Sequence, residues 1–76
     1  MWLLDAPEAL REARGRPQYA GPLALAAGPE RIESGWWDGT DVRRDYFIAI
    51  DGTGRWLWVF RDSGSSGGWY LHGLFA

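Results

Sequence analysis

The alternation of apolar and polar positions is clearest in the second half of the chain. Residues 44–50 (RDYFIAI), 55–61 (RWLWVFR) and 69–75 (WYLHGLF) are rich in aromatic and β-branched side chains, are bounded by Gly, Asp and Ser, and each predict a strand. Residues 51–54 (DGTG) predict a hairpin connection, and 62–68 (DSGSSGG) a longer loop. Residues 31–37 (RIESGWW) predict a further strand, with Gly35 as a bulge or close-packing position and 38–41 (DGTD) as the polar turn after it. The first third is less decided. Residues 8–14 (EALREAR) have helix propensity, but Gly15 and Pro17 follow at once. The β character of the rest favours a short strand that turns at 14–17 (RGRP). Gly21-Pro22 and Gly28-Pro29 bracket the apolar stretch 23–27 and allow only short elements between them.

The central hairpin can be read further. A four-residue connection pairs Ile50 with Arg55, so that Ala49 faces Trp56 and Phe47 faces Trp58. One face then carries Phe47, Ala49, Trp56, Trp58 and Phe60, and the other Tyr46, Ile48, Ile50, Leu57 and Val59. Period two ordinarily gives one apolar and one polar face. Here both are apolar, so the second face is either covered by the N-terminal segments or docks on a partner. The expectation is an all-β fold: one small domain, residues 1–76, with a mostly antiparallel sheet of about five strands that partly closes into a barrel.

Composition sharpens this. Six Trp, three Tyr and three Phe give a short chain unusually large side chains with which to build a small core. All eight cations are arginine against ten acids, a net charge of −2, which argues against a polyanion binder driven by overall charge. Without cysteine and with a single His, the chain has no disulfide, thiolate–zinc, thiol-nucleophile or multi-His chemistry. His72 could act as a base oriented by Asp45 or Asp62, but a strand His bonded locally is the simpler reading. The serines lie in no nucleophile elbow, and Asp38 and Asp41 read as turn-formers. No catalytic residue, metal or cofactor is expected. No apolar run approaches the roughly 20 residues that span a bilayer, and the N-terminus lacks a signal-peptide pattern, so a cytoplasmic protein without membrane contact is expected.

Four blocks in order, GPERIESGWWDG (28–39), RRDYFIAI (43–50), LWVFR (57–61) and WYLHGLFA (69–76), with the opening WLL and GRPQYAGPL (15–23), resemble the C-terminal region of ImuB proteins, bacterial relatives of Y-family DNA polymerases. The resemblance covers almost the whole chain, and its specificity lies in the order of the blocks. It implies part of a noncatalytic hub of a DNA-damage-induced mutasome. Such a hub links the sliding clamp, an ImuA-like RecA-related protein and an error-prone polymerase alpha-type subunit, and its C-terminal region is associated with partner binding. The chain carries no recognisable clamp-binding peptide, so clamp binding is not implied.

Together these readings predict a protein-interaction module in translesion synthesis. The partner is the ImuA-like protein or the error-prone polymerase subunit, docked through Trp36, Trp37, Arg43, Arg44, Tyr46 and Trp58, residue types favoured at interface hot spots. The alternative is a single-stranded-DNA-binding β module. It would stack bases on Trp36, Trp37, Tyr46 and Trp58 and hold phosphates on Arg43, Arg44, Arg55 and Arg61. The acids beside those arginines (Asp41, Asp45 and Asp62) weigh against it.

Overall fold

Aromatic and β-branched residues pack well on a pleated surface, and each regular element of the fold is a strand. The computed structural model describes residues 1–34, 42–64 and 67–75. It contains β1 (Trp2–Ala13), β2 (Arg16–Gln18), β3 (Ala24–Ser34), β4 (Val42–Ile50), β5 (Trp56–Asp62) and β6 (Trp69–Leu74). They form one sheet in the order β2-β1-β6-β5-β4-β3, every neighbouring pair antiparallel, curled into a half-barrel. The all-β expectation holds, with six strands in place of about five.

The difference lies in the first half. The 8–14 stretch is extended: β1 turns into β2 through Arg14 and Gly15, both with positive φ (53° and 78°), as a two-residue hairpin requires. Gly28-Pro29 does not end an element. β3 runs through it as a bulged edge strand, with register shifts between Leu25 and Ala27 and between Ala27 and Glu30. Gly28 has a φ of 114°, and a β-carbon there would come 2.6 Å from the Tyr46 carbonyl oxygen, so only glycine lets β3 lie this close to β4. The predicted bulge at Gly35 and the turn at 38–41 lie outside the described residues.

The register of the central hairpin corrects the sequence-based pairing by one residue. Ile50 faces Trp56, Ala49 faces Leu57, Ile48 faces Trp58 and Phe47 faces Val59. The reason is the turn. Asp51 and Arg55 close it, the Asp51 N–H donating to the Arg55 carbonyl at 3.0 Å, around Gly52, Thr53 and a left-handed Gly54. A three-residue loop replaces the expected four. The faces therefore sort as Phe47, Ala49, Leu57 and Val59 on one side, and Tyr46, Ile48, Ile50, Trp56, Trp58 and Phe60 on the other.

The first side is the core. Leu23, Ala49, Leu57, Val59, Trp69 and Leu71 are buried together, with Leu4, Leu10, Tyr19, Phe47 and Leu74 packed against them. The segment after β2 contributes Tyr19 and Leu23 and is tied back by the Leu23 N–H donating to the Pro17 carbonyl (3.1 Å). The N-terminal third thus helps cover one face of the sheet.

Candidate functional site

The second face carries a continuous group of rings. Cross-strand pairing brings Tyr46 of β4, Phe60 of β5 and Tyr70 of β6 into one row. Tyr70 stacks on Phe60 with centroids 5.1 Å apart, and Tyr46 meets Phe60 at the same separation, tilted. One step along, Trp58 stacks on Tyr46 at 4.2 Å and on His72 at 5.0 Å, its plane within 8° of the imidazole. The His72 position depends on a β6 irregularity: Leu71 pairs with Val59 and Gly73 with Trp58, so His72 is an extra residue opposite Trp58.

A polar chain runs under the rings. Arg44 Nη1 donates to the Tyr46 hydroxyl at 3.3 Å, and that hydroxyl lies 2.7 Å from His72 Nδ1. A neutral imidazole accepting at Nδ1 completes a directional Arg44–Tyr46–His72 sequence. The environment favours that form: burial, and then the Arg44 charge, hold the His72 pKa below its ordinary value. The Arg44 guanidinium also lies over the Phe60 ring, 4.4 Å from its centroid. Asp45, on the opposite face, accepts from Arg31 Nε at 2.9 Å, so this carboxylate does not orient His72. Among the described residues no group of three or more His, Asp or Glu could hold a metal ion.

Of the six residues expected to bind a partner, the structure brings three together on this face: Arg44, Tyr46 and Trp58. Their exposures differ. Tyr46 is buried and Trp58 half-buried, while Arg44 is spread over Phe60. Arg43 alternates to the other side of β4; its backbone carbonyl accepts from Ser63 N–H and Oγ. Trp36 and Trp37 lie outside the described residues. Phe60, Tyr70 and His72 also belong to the face, and sequence reasoning missed their grouping. Strand alternation places Phe60 with Trp58, as the sequence reading does, and it also places Tyr70 with His72. Linking them to Tyr46 needed the correct register.

The face has an open margin. Trp56 is 51% exposed and Ile32 40% exposed. Between β3 and Trp58 runs a groove of about 160 Å³, lined by Gly28, Glu30, Tyr46, Ile48, Trp58 and Phe75 among others. No described residue belongs to a helix long and apolar enough to cross a membrane.

No protein-family model matches the chain, and no solved structure matches it. It is 38% identical over 96% of its length to Protein ImuB of two strains of Caulobacter vibrioides. It spans only 18% of the length of those proteins. The chain aligns almost end to end with a segment of ImuB, consistent with an ImuB-like domain from the C-terminal region whose blocks it carries.

Proposed function

We propose that this domain is a noncatalytic interaction module of a DNA-damage-induced mutasome protein. It acts in the cytoplasm during translesion synthesis and docks an error-prone polymerase alpha-type subunit or an ImuA-like RecA-related protein. The ImuB relationship supports the setting. The observation that carries the docking role is the sheet's second apolar face. In a single-layered sheet one face is filled by the core, and the other presents packed rings with Trp56, Ile32 and the half-buried Trp58 at its margin. Fixed aromatic side chains offer large contact area at little entropic cost on binding, which suits a docking surface.

The margin residues are the right probes, because truncating an exposed side chain leaves the fold nearly unchanged, within about 0.5 kcal/mol. Arg44→Ala is a poorer probe, since it uncovers Phe60 and removes a donor to Tyr46. Immobilised cognate ImuA-like protein and polymerase subunit should each be offered the wild-type domain and a Trp56→Ala/Ile32→Ala double variant. Capture of wild type by one bait, weakened at least tenfold in the variant, is the expected outcome. Absence of capture by both baits, or equal capture of the two domains, would refute the docking role.

A further inference from the structure

The β1–β2 hairpin carries three arginines whose charges are not balanced on their own side of the sheet. Arg11, Arg14 and Arg16 are exposed, and their side chains make no hydrogen bond, ion pair or ring stacking among the described residues. Strand alternation sorts the surrounding charges. Leu10 packs on the core, and Glu12 faces the buried Pro17, so Glu8, Leu10 and Glu12 belong to the core side. Arg11 faces Gln18 and Ala13 faces Arg16, which puts Arg11, Arg16 and the Gln18 amide on the opposite side, with Arg14 at the tip. That side is continuous with the aromatic face through Ala9, the partner of Tyr70. The nearest acid on that face along β5, Asp62, stands opposite Arg44 in the register, and its Oδ1 accepts from the Gly64 N–H at 2.8 Å. The molecule is acidic overall, yet this end of this face is locally cationic.

Two further observations bear on the partner. Tyr70 is half-buried: one side of its ring stacks on Phe60, while its neighbour towards β1 is the methyl of Ala9. Arg11 sits diagonally from Tyr70, a placement of roughly 7–8 Å in an antiparallel sheet. One nucleotide can span that interval, with its phosphate on Arg11 and its base on Tyr70. Second, Arg14 holds a left-handed φ of 53°, a turn position where Asn or Gly costs less than a side chain such as Arg.

We infer that the β1–β2 hairpin and Tyr70 form a binding site for single-stranded nucleic acid, with Arg11, Arg14 and Arg16 on the phosphates and Tyr70 as the stacking platform. The site lies at the other edge of the sheet from the groove beside Trp58 and stands independently of the docking role. Guanidinium groups hold phosphate oxygens through charge-assisted, two-pronged hydrogen bonds, and a base stacks on an aromatic ring whatever its identity.

The test is fluorescence anisotropy of a labelled oligothymidylate with the wild-type domain and with Arg14→Asn, Arg11→Gln/Arg16→Gln and Tyr70→Leu, each over a range of NaCl concentrations. Wild type should bind at low salt. The slope of log affinity against log salt should shrink by about 0.7 for each phosphate that an arginine no longer neutralises. Arg14→Asn should weaken binding while its thermal midpoint stays level or rises, so the weaker binding cannot be ascribed to unfolding. Tyr70→Leu should weaken binding about fivefold or more and leave the slope unchanged. Failure of wild type to bind, or slopes unmoved by the arginine variants, overturns the assignment. So does poly-glutamate competing as well as the oligonucleotide with no effect of Tyr70→Leu, which would mark the hairpin as a surface for an acidic protein segment.

Discussion

Asp51 organises the β4–β5 turn through its side chain. Oδ1 accepts from the Thr53 N–H (2.9 Å), the Thr53 hydroxyl (2.7 Å) and the Arg55 N–H (2.9 Å), and Oδ2 meets Arg55 Nε at 3.1 Å. These donors favour the carboxylate, the Thr53 hydroxyl foremost and then the Arg55 N–H, and bring the Asp51 pKa down from 3.8 to about 2. The folded state therefore binds this proton less readily than the unfolded one. The stabilisation is complete above the unfolded value and is lost as pH falls from about 4 towards 2. Circular-dichroism melts should show the thermal midpoint dropping across that window. Asp51→Asn keeps an acceptor but cannot titrate, so its midpoint should be lower at neutral pH and the acid step smaller. An undiminished acid step in the variant would assign the effect to other carboxylates.

At the scale of elements, two glycines of positive φ do different work. A β-carbon at Gly54 (φ 87°) would meet open space, whereas at Gly28 (φ 114°) it would lie 2.6 Å from the Tyr46 carbonyl oxygen and 3.0 Å from the Phe47 ring. Gly54→Ala should cost only the backbone strain, about 1–3 kcal/mol. Gly28→Ala adds to that strain the separation of β3 from β4, an overpacking cost of typically about 1–3 kcal/mol. Urea unfolding should rank the Gly28 variant clearly below the Gly54 variant; equal midpoints would mean that β3 shifts freely on β4. The same strand shows why the sequence was only partly legible. β4, β5 and β6 could be read because their aromatic and β-branched runs are flanked by turn residues. Of β3 only the end from residue 31 could be read, because Gly28-Pro29 looks like a terminator when a bulge lets the strand continue. The hairpin register slipped by one for a related reason. A slip exchanges the two faces of a strand pair, and a buried-face pattern normally exposes the error. With both faces apolar, the pattern was silent, and the loop length set by Asp51 decided the matter. Of the candidate site, Tyr46, Trp58 and Arg44 were recognisable by residue type. Their grouping with Phe60, Tyr70 and His72 depends on that register and on the irregularity at His72.

Across the whole molecule, one sheet must keep two apolar faces dry. The core face is closed by chain, through Tyr19 and Leu23; the aromatic face is closed largely by its own side chains, so its integrity depends on how they stack. His72 is the titratable centre of that arrangement, stacked on Trp58, bonded to Tyr46 and within the field of Arg44. A proton on its ring would add a second cation beside Arg44 and remove the acceptor that the Tyr46 hydroxyl uses. Burial and Arg44 lower its folded pKa beneath the unfolded value near 6.5, so the unfolded chain takes up the proton first. Stability is then highest above pH 6.5 and declines as pH falls through the unfolded value towards the folded one. This window is separate from the Asp51 step below about pH 4. Thermal midpoints measured from about pH 7.5 to 5 should fall for wild type and stay nearly flat for His72→Asn, in which the amide oxygen keeps an acceptor near the Nδ1 position. Both proteins should retain the deeper acid step. A wild-type decline reproduced in full by His72→Asn would show that the aromatic face does not sense this proton, and that the ring stacks there only as a planar packing element.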